Sequence, residues 1–166
     1  MLRPILALLL LLLCPTPAAA QGVVSSADPR GSAAGQEILR KGGSATDAAM
    51  AMMLALTVVE PQSSGIGGGG FLVHHDGRMG TVDTIDGRET APAAATPDRF
   101  VGPDGKALAF RDAFPGGRSV GVPGNIALMA RAHAKWGRLP WAGLFAPAIR
   151  LARDGFVVNA TRAKGL

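Results

Sequence analysis

The stretch Glu60-Pro-Gln-Ser-Ser-Gly-Ile-Gly-Gly-Gly-Gly-Phe71 restricts the fold more than any other, because five of the six residues from Gly65 to Gly70 are glycine. Glycine adopts positive φ angles and lets another backbone or a ligand approach closely, at an entropic cost. The run formally matches the dinucleotide fingerprint GxGxxG, which needs a strand before the glycines and a helix after them. Here an apolar helix is predicted before the run and a strand after it. The sequence therefore predicts that two backbones cross closely at the glycine run, and it argues against a nucleotide site there.

Regular elements are predicted on both sides of the glycine run. Ser44 followed by Asp47 is typical of a capping box, and the apolar run Ala48 to Val59 indicates a buried helix that ends at Pro61. Helices around one hairpin indicate an α/β layered arrangement with too few strands for a complete sheet. The other predicted elements are a β-like piece at Gly22 to Ser26, a helix from Pro29 to Arg40, a strand from Phe71 to His75, a hairpin turn at Asp76-Gly77, a return strand from Met79 to Asp86, a long ordered loop from Thr90 to Gly121, a helix opened by Pro123-Gly-Asn125 and ending near Trp136, a helix from Leu139-Pro-Trp141 to Asp154 stopped by Gly155, and an N-cap at Asn159.

The N-terminus has the three parts of a secretory signal peptide. Arg3 supplies a positive charge, Ile5 to Leu13 is a short apolar run, and Ala18-Ala-Ala20 before Gln21 is a small-residue cleavage site. The apolar run is shorter than the about 20 residues that span a bilayer. We therefore expect residues 1–20 to be removed near Ala20-Gln21. The product is expected to be exported, either periplasmic or secreted, with no membrane attachment after cleavage.

Composition argues against several classes of function. The chain carries 17 Lys and Arg against 12 Asp and Glu, but its basic residues are scattered and it has no tyrosine. A nucleic-acid interface needs a basic patch with aromatic partners, so nucleic acid is not an expected partner. His74 and His75 would point to opposite faces of a strand, and His133 lies on another element, so neither a metal nor another cofactor is expected. Cys14 lies inside the signal peptide, which leaves the mature chain without thiol chemistry.

A second informative run, Asp86-Gly-Arg-Glu-Thr-Ala-Pro92, follows the predicted hairpin directly. Arg88 stands at a strand end, in a loop position of the kind that carries binding and catalytic residues. Its guanidinium is always charged and holds a carboxylate through two parallel hydrogen bonds, which a lysine cannot match. From the residues alone, a structural ion pair of Arg88 with Glu89 or Asp86 is the simpler interpretation, and carboxylate binding is the alternative.

Several runs together resemble the γ-glutamyltransferase (glutathione hydrolase) family, and within it the N-terminal part of the large subunit. The matching runs, in family order and spacing, are Gly42-Gly-Ser-Ala-Thr-Asp47, Val59 to Phe71, Asp86 to Pro92, Ser119-Val-Gly-Val-Pro-Gly124, Leu139-Pro-Trp141 and Ala146 to Phe156. The resemblance implies the fold of an N-terminal-nucleophile hydrolase, an α/β (α+β) sandwich of four layers in the order αββα. Only the first part of this sandwich is expected in the present chain. It also implies one precursor that cuts itself into a large and a small subunit.

The resemblance implies a reaction as well. A threonine at the new N-terminus of the small subunit attacks the γ-glutamyl amide of glutathione or a related compound and forms a γ-glutamyl-enzyme. Water, an amino acid or a peptide then takes the γ-glutamyl group. Arg88 matches the family arginine that holds the α-carboxylate of this group, and Glu89 beside it is a second substrate-binding candidate.

The sequence departs from the family pattern in one respect, since it contains no Thr-Thr-His-like motif of the kind that carries the nucleophile. No catalytic residue is therefore expected in this chain, and the threonine is expected downstream of Leu166. Residues 21–166 are expected to be an incomplete domain whose partners are the remainder of the large subunit and the small subunit. Two alternatives stay open: a truncated, non-catalytic exported chain, and a same-fold acylase or poly-γ-glutamate depolymerase.

Overall fold

The computed structural model describes residues 22–158 and Ala163. The predicted signal peptide and the predicted N-cap at Asn159 lie outside these residues. Among the described helices, none is both long enough and apolar enough to cross a membrane. The helices and strands, labelled in chain order, are α1 (Pro29–Arg40), α2 (Ala45–Val59), β1 (Gly70–Asp76), β2 (Thr81–Gly87), α3 (Phe110–Ala113), α4 (Asn125–Trp136) and α5 (Ala146–Asp154), with 3₁₀ turns at Gly117–Ser119 and Trp141–Phe145.

Helices α1 and α2 pack against each other, and α2 also contacts α4, α5 and the 3₁₀ turn at Trp141–Phe145. Helix α1 has the predicted bounds, with Asp28 as its N-cap. Helix α2 begins at Ala45, earlier than the apolar run, because Ser44 caps it: the Ser44 side chain accepts from the Asp47 N–H, and the Asp47 side chain accepts from the Ser44 N–H. The predicted capping box is therefore confirmed. The buried core on these helices and their neighbours consists of Ile38, Ala48, Met50, Ala51, Leu54, Ile85, Leu128, Met129, Ala132, Leu144 and Ala148.

Strands β1 and β2 form an antiparallel hairpin with two different faces. Leu72 lies opposite Ile85 in the register, and both side chains pack on the helical core. Alternate residues of a strand point to opposite faces, so the residues between them form the outer face. That outer face carries large apolar side chains in solvent: Phe71 is 70% exposed, Val73 70% and Val82 62%.

The turn of the hairpin differs from the prediction. The sequence favoured a return strand from Met79 to Asp86, but β2 begins at Thr81 and the residues between the strands form a longer turn. The Asp76 carboxylate stabilises this turn by accepting hydrogen bonds from the N–H groups two and three positions further on, at 2.8 and 3.2 Å. Gly80 completes the turn with a φ of 66°, in the left-handed region that favours glycine.

Two further predictions are corrected. The β-like piece predicted at Gly22 to Ser26 is irregular, because Ser26 Oγ donates to the Asp28 carbonyl at 2.7 Å and directs the chain into α1. The loop predicted from Thr90 to Gly121 contains helix α3, a 3₁₀ turn and two isolated antiparallel bridges, Thr90 with Val122 and Val101 with Ala107.

The C-terminal helix is also shorter than predicted. The sequence favoured one helix from Leu139-Pro-Trp141 to Asp154, whereas the chain forms a 3₁₀ turn first and then α5. Pro147 occupies the first turn of α5, where a residue without an N–H is tolerated and marks a helix start. The predicted stop at Gly155 is confirmed, with a φ of 75° at that residue.

One buried carboxylate joins distant parts of the chain. Asp47 is fully buried, and its Oδ2 atom accepts hydrogen bonds from the backbone N–H groups of Ser44 and Arg138, each at 2.9 Å, and of Leu139 at 3.2 Å. His133 of α4 lies alongside, with its Nε2 atom 2.8 Å from the Leu139 carbonyl oxygen and 3.9 Å from Asp47 Oδ1. The N-terminus of α2 is thereby fixed to the segment between α4 and α5.

We expect the substitution Asp47→Ala to lower the free energy of unfolding by about 2–4 kcal/mol, because three backbone N–H groups lose the acceptor that the buried carboxylate supplies. Asp47→Asn should be milder, since its amide oxygen still accepts. The urea midpoint of the complete protein measures both changes. The control is Asp112→Ala on the exposed helix α3, for which a change within about 0.5 kcal/mol is expected. Equal midpoints for Asp47→Ala and the control would contradict this role of Asp47.

Candidate functional site: a basic cleft beside the glycine run

The glycine run packs against the N-terminus of α4. The Gly68 carbonyl oxygen accepts hydrogen bonds from the N–H groups of Gly124 and Asn125, each at 3.0 Å. The Asn125 side chain donates to the Gly65 carbonyl at 2.5 Å. The first N–H groups of a helix have no acceptor within that helix. The run supplies acceptors there, and the start of α4 in turn fixes the position of the run.

Gly69 lies where the run crosses the end of β2. A Cβ atom built on Gly69 would lie 2.6 Å from both the Glu89 backbone nitrogen and the Gly87 carbonyl oxygen, whereas one on Gly67 would have nothing within 4 Å. A side chain therefore does not fit at position 69, and the predicted close crossing of two backbones is confirmed. Helix α2 precedes the run and β1 follows it, which is the reverse of the order in a dinucleotide site.

Arg88 and Glu89 follow the crossing directly. The Arg88 backbone N–H donates to Asp86 Oδ1 at 2.8 Å, and its Nη1 atom lies 2.8 Å from Glu89 Oε2. The sequence offered Asp86 or Glu89 as ion-pair partners, and the side-chain pair is with Glu89. The Arg88 side chain is nevertheless 64% exposed, against 28% for Glu89. Since a guanidinium has five N–H donors, the pair leaves Arg88 able to bind a ligand.

Both side chains line a cleft with a volume of about 480 Å³. Small-molecule sites usually have volumes of about 300–1,000 Å³. Arg99 and Arg118 line the same cleft from the segment between β2 and α4. The Arg99 guanidinium donates to the backbone carbonyls of Arg118 at 2.5 Å and of Gly117 at 3.0 Å. Three guanidinium groups and one carboxylate thus line the cleft, which favours an anionic ligand.

Of the four charged residues that line the cleft, sequence reasoning singled out Arg88 and Glu89 as candidates but not Arg99 and Arg118. The two arginines lie in a Pro- and Gly-rich segment without periodicity, where nothing local indicates that they face the end of β2. The available signal is the pair Gly116-Gly117 before Arg118, since Gly116 has a φ of 84° and opens the 3₁₀ turn that contains Arg118. Such a turn indicates that the backbone is fixed, but it does not indicate which distant residues the loop faces.

The histidines lie away from the cleft. His74 and His75 point to opposite faces of β1, as predicted: His74 is half-buried and stacks on Trp136 with ring centroids 4.1 Å apart, and His75 is exposed. Thr46 Oγ1 lies 3.4 Å from His74 Nδ1. Within residues 22–158 and 163, no group of three or more His, Cys, Asp or Glu residues is placed to hold a metal ion.

The fold defines a class of enzyme. Two solved γ-glutamyltranspeptidases superpose on this chain with a TM-score of 0.83: the Pseudomonas nitroreducens protein in complex with L-DON, 35% identical over 89% of this chain and 43% of that one, and the Helicobacter pylori protein, 36% identical over 91% and 43%. The Bacillus anthracis transpeptidase CapD superposes with a TM-score of 0.66 at 35% identity, over 84% of this chain and 41% of that one. The architecture is that of the first part of an N-terminal-nucleophile hydrolase, as predicted.

The family follows from the sequence match. The model of the gamma-glutamyltranspeptidase family matches residues 31–166, and this chain belongs to that family of enzymes, as the N-terminal part of the large subunit. It is 44% identical over 145 residues to the glutathione hydrolase proenzyme of Bacillus subtilis, which covers 87% of this chain and 25% of the relative. Glutathione hydrolase 3 of Arabidopsis thaliana is 49% identical over 145 residues, 87% of this chain and 22% of the relative. The chain spans about a quarter of the length of these curated relatives.

The crossing predicts different outcomes for two neighbouring glycines. Gly69→Ala should lower the free energy of unfolding by about 1–3 kcal/mol, since its methyl group meets backbone atoms at Gly87 and Glu89. Gly67→Ala is the matched control and should change it by no more than about 1 kcal/mol in either direction, because its methyl group meets open space. Denaturant midpoints of the complete protein measure both. Equal destabilisation by the two substitutions would show that the crossing does not require glycine at position 69.

Proposed function

We propose that the complete protein is a γ-glutamyltransferase that acts on glutathione and related γ-glutamyl compounds. The enzyme breaks the γ-glutamyl amide bond, forms an ester between the γ-glutamyl group and a threonine, and releases the amine with the proton taken from the hydroxyl. Water, or the amine of an amino acid or peptide, then attacks the ester. The observation that supports this proposal is the Arg88 guanidinium, held next to Glu89 and open to a cleft of about 480 Å³.

In this proposal Arg88 binds the α-carboxylate of the γ-glutamyl group. One side of its guanidinium contacts Glu89, and the remaining N–H donors can meet a carboxylate through two parallel hydrogen bonds. Glu89 positions Arg88 by fixing the plane of the guanidinium. The Glu89 Oε2 atom is buried without a hydrogen bond, so its charge contact with Arg88 is the interaction that compensates its burial.

The nucleophile belongs to the part of the precursor that follows Leu166. In a four-layer sandwich a second sheet packs on the first, and the outer face of the hairpin β1–β2 is the surface that such a sheet would cover. Phe71, Val73 and Val82 on that face are each more than half exposed in this chain, and apolar patches of this kind mark interaction sites. The remainder of the large subunit and the small subunit are the proposed partners.

Two alternatives to this function predict different properties: another enzyme of the same fold, and a truncated, non-catalytic chain. An acylase on the same scaffold is less well supported, since the cephalosporin acylase from Bacillus halodurans superposes with a TM-score of 0.68, against 0.83 for the γ-glutamyltranspeptidases. A poly-γ-glutamate depolymerase would have to accept a polymer in place of glutathione. A truncated, non-catalytic chain would have to keep the outer face of the hairpin in solvent, which predicts aggregation. A soluble, cooperatively melting product of residues 21–166 would therefore count against that second alternative.

Export is part of the proposal and is supported by residues 1–20 of the sequence. We expect the protein to be recovered from the periplasmic or the extracellular fraction. Mass spectrometry of the purified protein should show that its mature N-terminus is Gln21. Leu9→Arg interrupts the apolar run and should leave an uncut chain inside the cell. Recovery of an intact Met1 from the exported wild-type protein would contradict cleavage.

The test of the proposed substrate contact is Arg88→Lys in the complete protein. Lysine keeps the charge but loses the two-bond geometry, so the KM for γ-glutamyl donors should rise by about thirtyfold or more. Arg78→Lys, in the turn at the other end of the same hairpin, is the matched control and should leave KM and kcat unchanged. Unchanged KM and kcat in Arg88→Lys would remove Arg88 from the site.

A further inference from the structure

Arg118 differs from the other arginines of the cleft in what its guanidinium contacts. Arg88 pairs with Glu89 at 2.8 Å, and Arg99 donates to backbone carbonyls. Within the part of the chain that the structure describes, the Arg118 guanidinium meets neither a carboxylate nor a hydrogen-bond acceptor, although its side chain lines the same cleft. The cleft therefore holds a guanidinium that has no internal partner and is accessible to a ligand.

The backbone around Arg118 is fixed from both sides. Arg99 donates to the carbonyls of Gly117 and Arg118 itself. On the other side, Ser119 Oγ donates to the Phe114 carbonyl and lies 3.2 Å from the Gly116 carbonyl oxygen. Ordering a loop on binding opposes affinity, and these hydrogen bonds order this loop in advance. Arg118 is thus presented on a fixed backbone with a side chain that stays in solvent.

Two exposed arginines that line one cleft favour a ligand with two anionic groups. A guanidinium matches the geometry of a carboxylate, with two N–H donors for two oxygens. If Arg88 holds the α-carboxylate of the γ-glutamyl group, as proposed above, the remaining cation can meet a carboxylate on the other side of the γ-amide. Glutathione carries such a group at its C-terminal glycine, whereas a γ-glutamyl anilide carries none.

We propose that Arg118 binds a free carboxylate on the group beyond the γ-amide bond and thereby makes the cleft selective for γ-glutamyl peptides. This inference rests on the proposed function. The carboxylate has two possible sources, the leaving part of the donor and the amino acid or peptide that accepts the γ-glutamyl group. Both occupy the position on the far side of the reacting carbonyl, so the chemistry of the contact is the same.

The donor source is tested by hydrolysis without an acceptor, using the complete protein. Arg118→Gln should raise the KM for glutathione about five- to tenfold, and should change the KM for γ-glutamyl-p-nitroanilide less than twofold, since the anilide has no second carboxylate. Arg118→Lys should recover part of the affinity for glutathione. Arg111→Gln, in the same segment but outside the cleft, is the matched control and should change neither value.

The acceptor source is tested with the neutral donor γ-glutamyl-p-nitroanilide and glycylglycine as acceptor. A rise in the KM for glycylglycine in Arg118→Gln, with glycylglycine amide unaffected, would assign the contact to the acceptor. No change in the KM for either glutathione or glycylglycine would overturn the inference. An equal rise for glutathione and for the anilide would also overturn it, because Arg118 would then act on the γ-glutamyl half or on the fold.

A binding measurement separates this inference from the proposed function. Calorimetric titration of the complete protein with glutathione and with its C-terminal amide needs no turnover. A wild-type protein that hydrolyses neither donor would refute the proposed function. Tighter binding of glutathione than of its amide, lost in Arg118→Gln, would still support the Arg118 contact. Equal binding of the two ligands, together with an unchanged KM for glycylglycine in Arg118→Gln, would refute it.

Discussion

The close crossing of the glycine run over the end of β2 is the constraint on which the site depends. At Gly69 the two backbones approach so closely that a Cβ atom would lie 2.6 Å from backbone atoms of the other segment. The same run supplies acceptors to the N-terminal N–H groups of α4 through Gly68. One short segment thus joins α4, β2 and the loop that carries Arg88. A side chain at the crossing would move the guanidinium together with the backbone that holds it.

The core and the site are stabilised by different interactions. The core is made of apolar side chains of α1, α2, α4 and α5 that pack on the inner face of one hairpin. A buried polar group also connects these elements, because the Asp47 carboxylate accepts hydrogen bonds from the backbone N–H groups of Ser44, Arg138 and Leu139. The outer face of the hairpin has no such packing within the described residues, and Phe71 and Val73 remain 70% exposed there. The chain is therefore well packed on one side of its sheet only.

The three arginines of the cleft differ in what their guanidinium groups contact. Arg99 has a structural role, because its guanidinium donates hydrogen bonds to the carbonyls of Gly117 and Arg118. Arg88 is shared, since Glu89 engages part of its guanidinium while the rest is exposed. Arg118 has no internal partner in the described part of the chain. These differences explain how a small cleft lined by three positive charges stays ordered. Backbone carbonyls accept hydrogen bonds from Arg99, a carboxylate pairs with Arg88, and Arg118 remains accessible to a ligand.

The sequence by itself determined the local elements and the need for glycine. The bounds of α1, the capping box at Ser44 and Asp47, the stop at Gly155 and the crossing at Gly65 to Gly70 all follow from rules that act within a few residues. Arg88 was singled out from its place after a strand, and its predicted role in carboxylate binding came from the resemblance of its run. The turn after Asp76 was predicted too short because the Asp76 carboxylate and Gly80 extend it to Gly80. The tertiary structure alone decided that Arg99 and Arg118 join Arg88 in one cleft, and that Asp47 reaches Arg138 and Leu139. These contacts connect residues far apart in the chain, and nothing in the local pattern encodes which distant backbone or charge a side chain will meet.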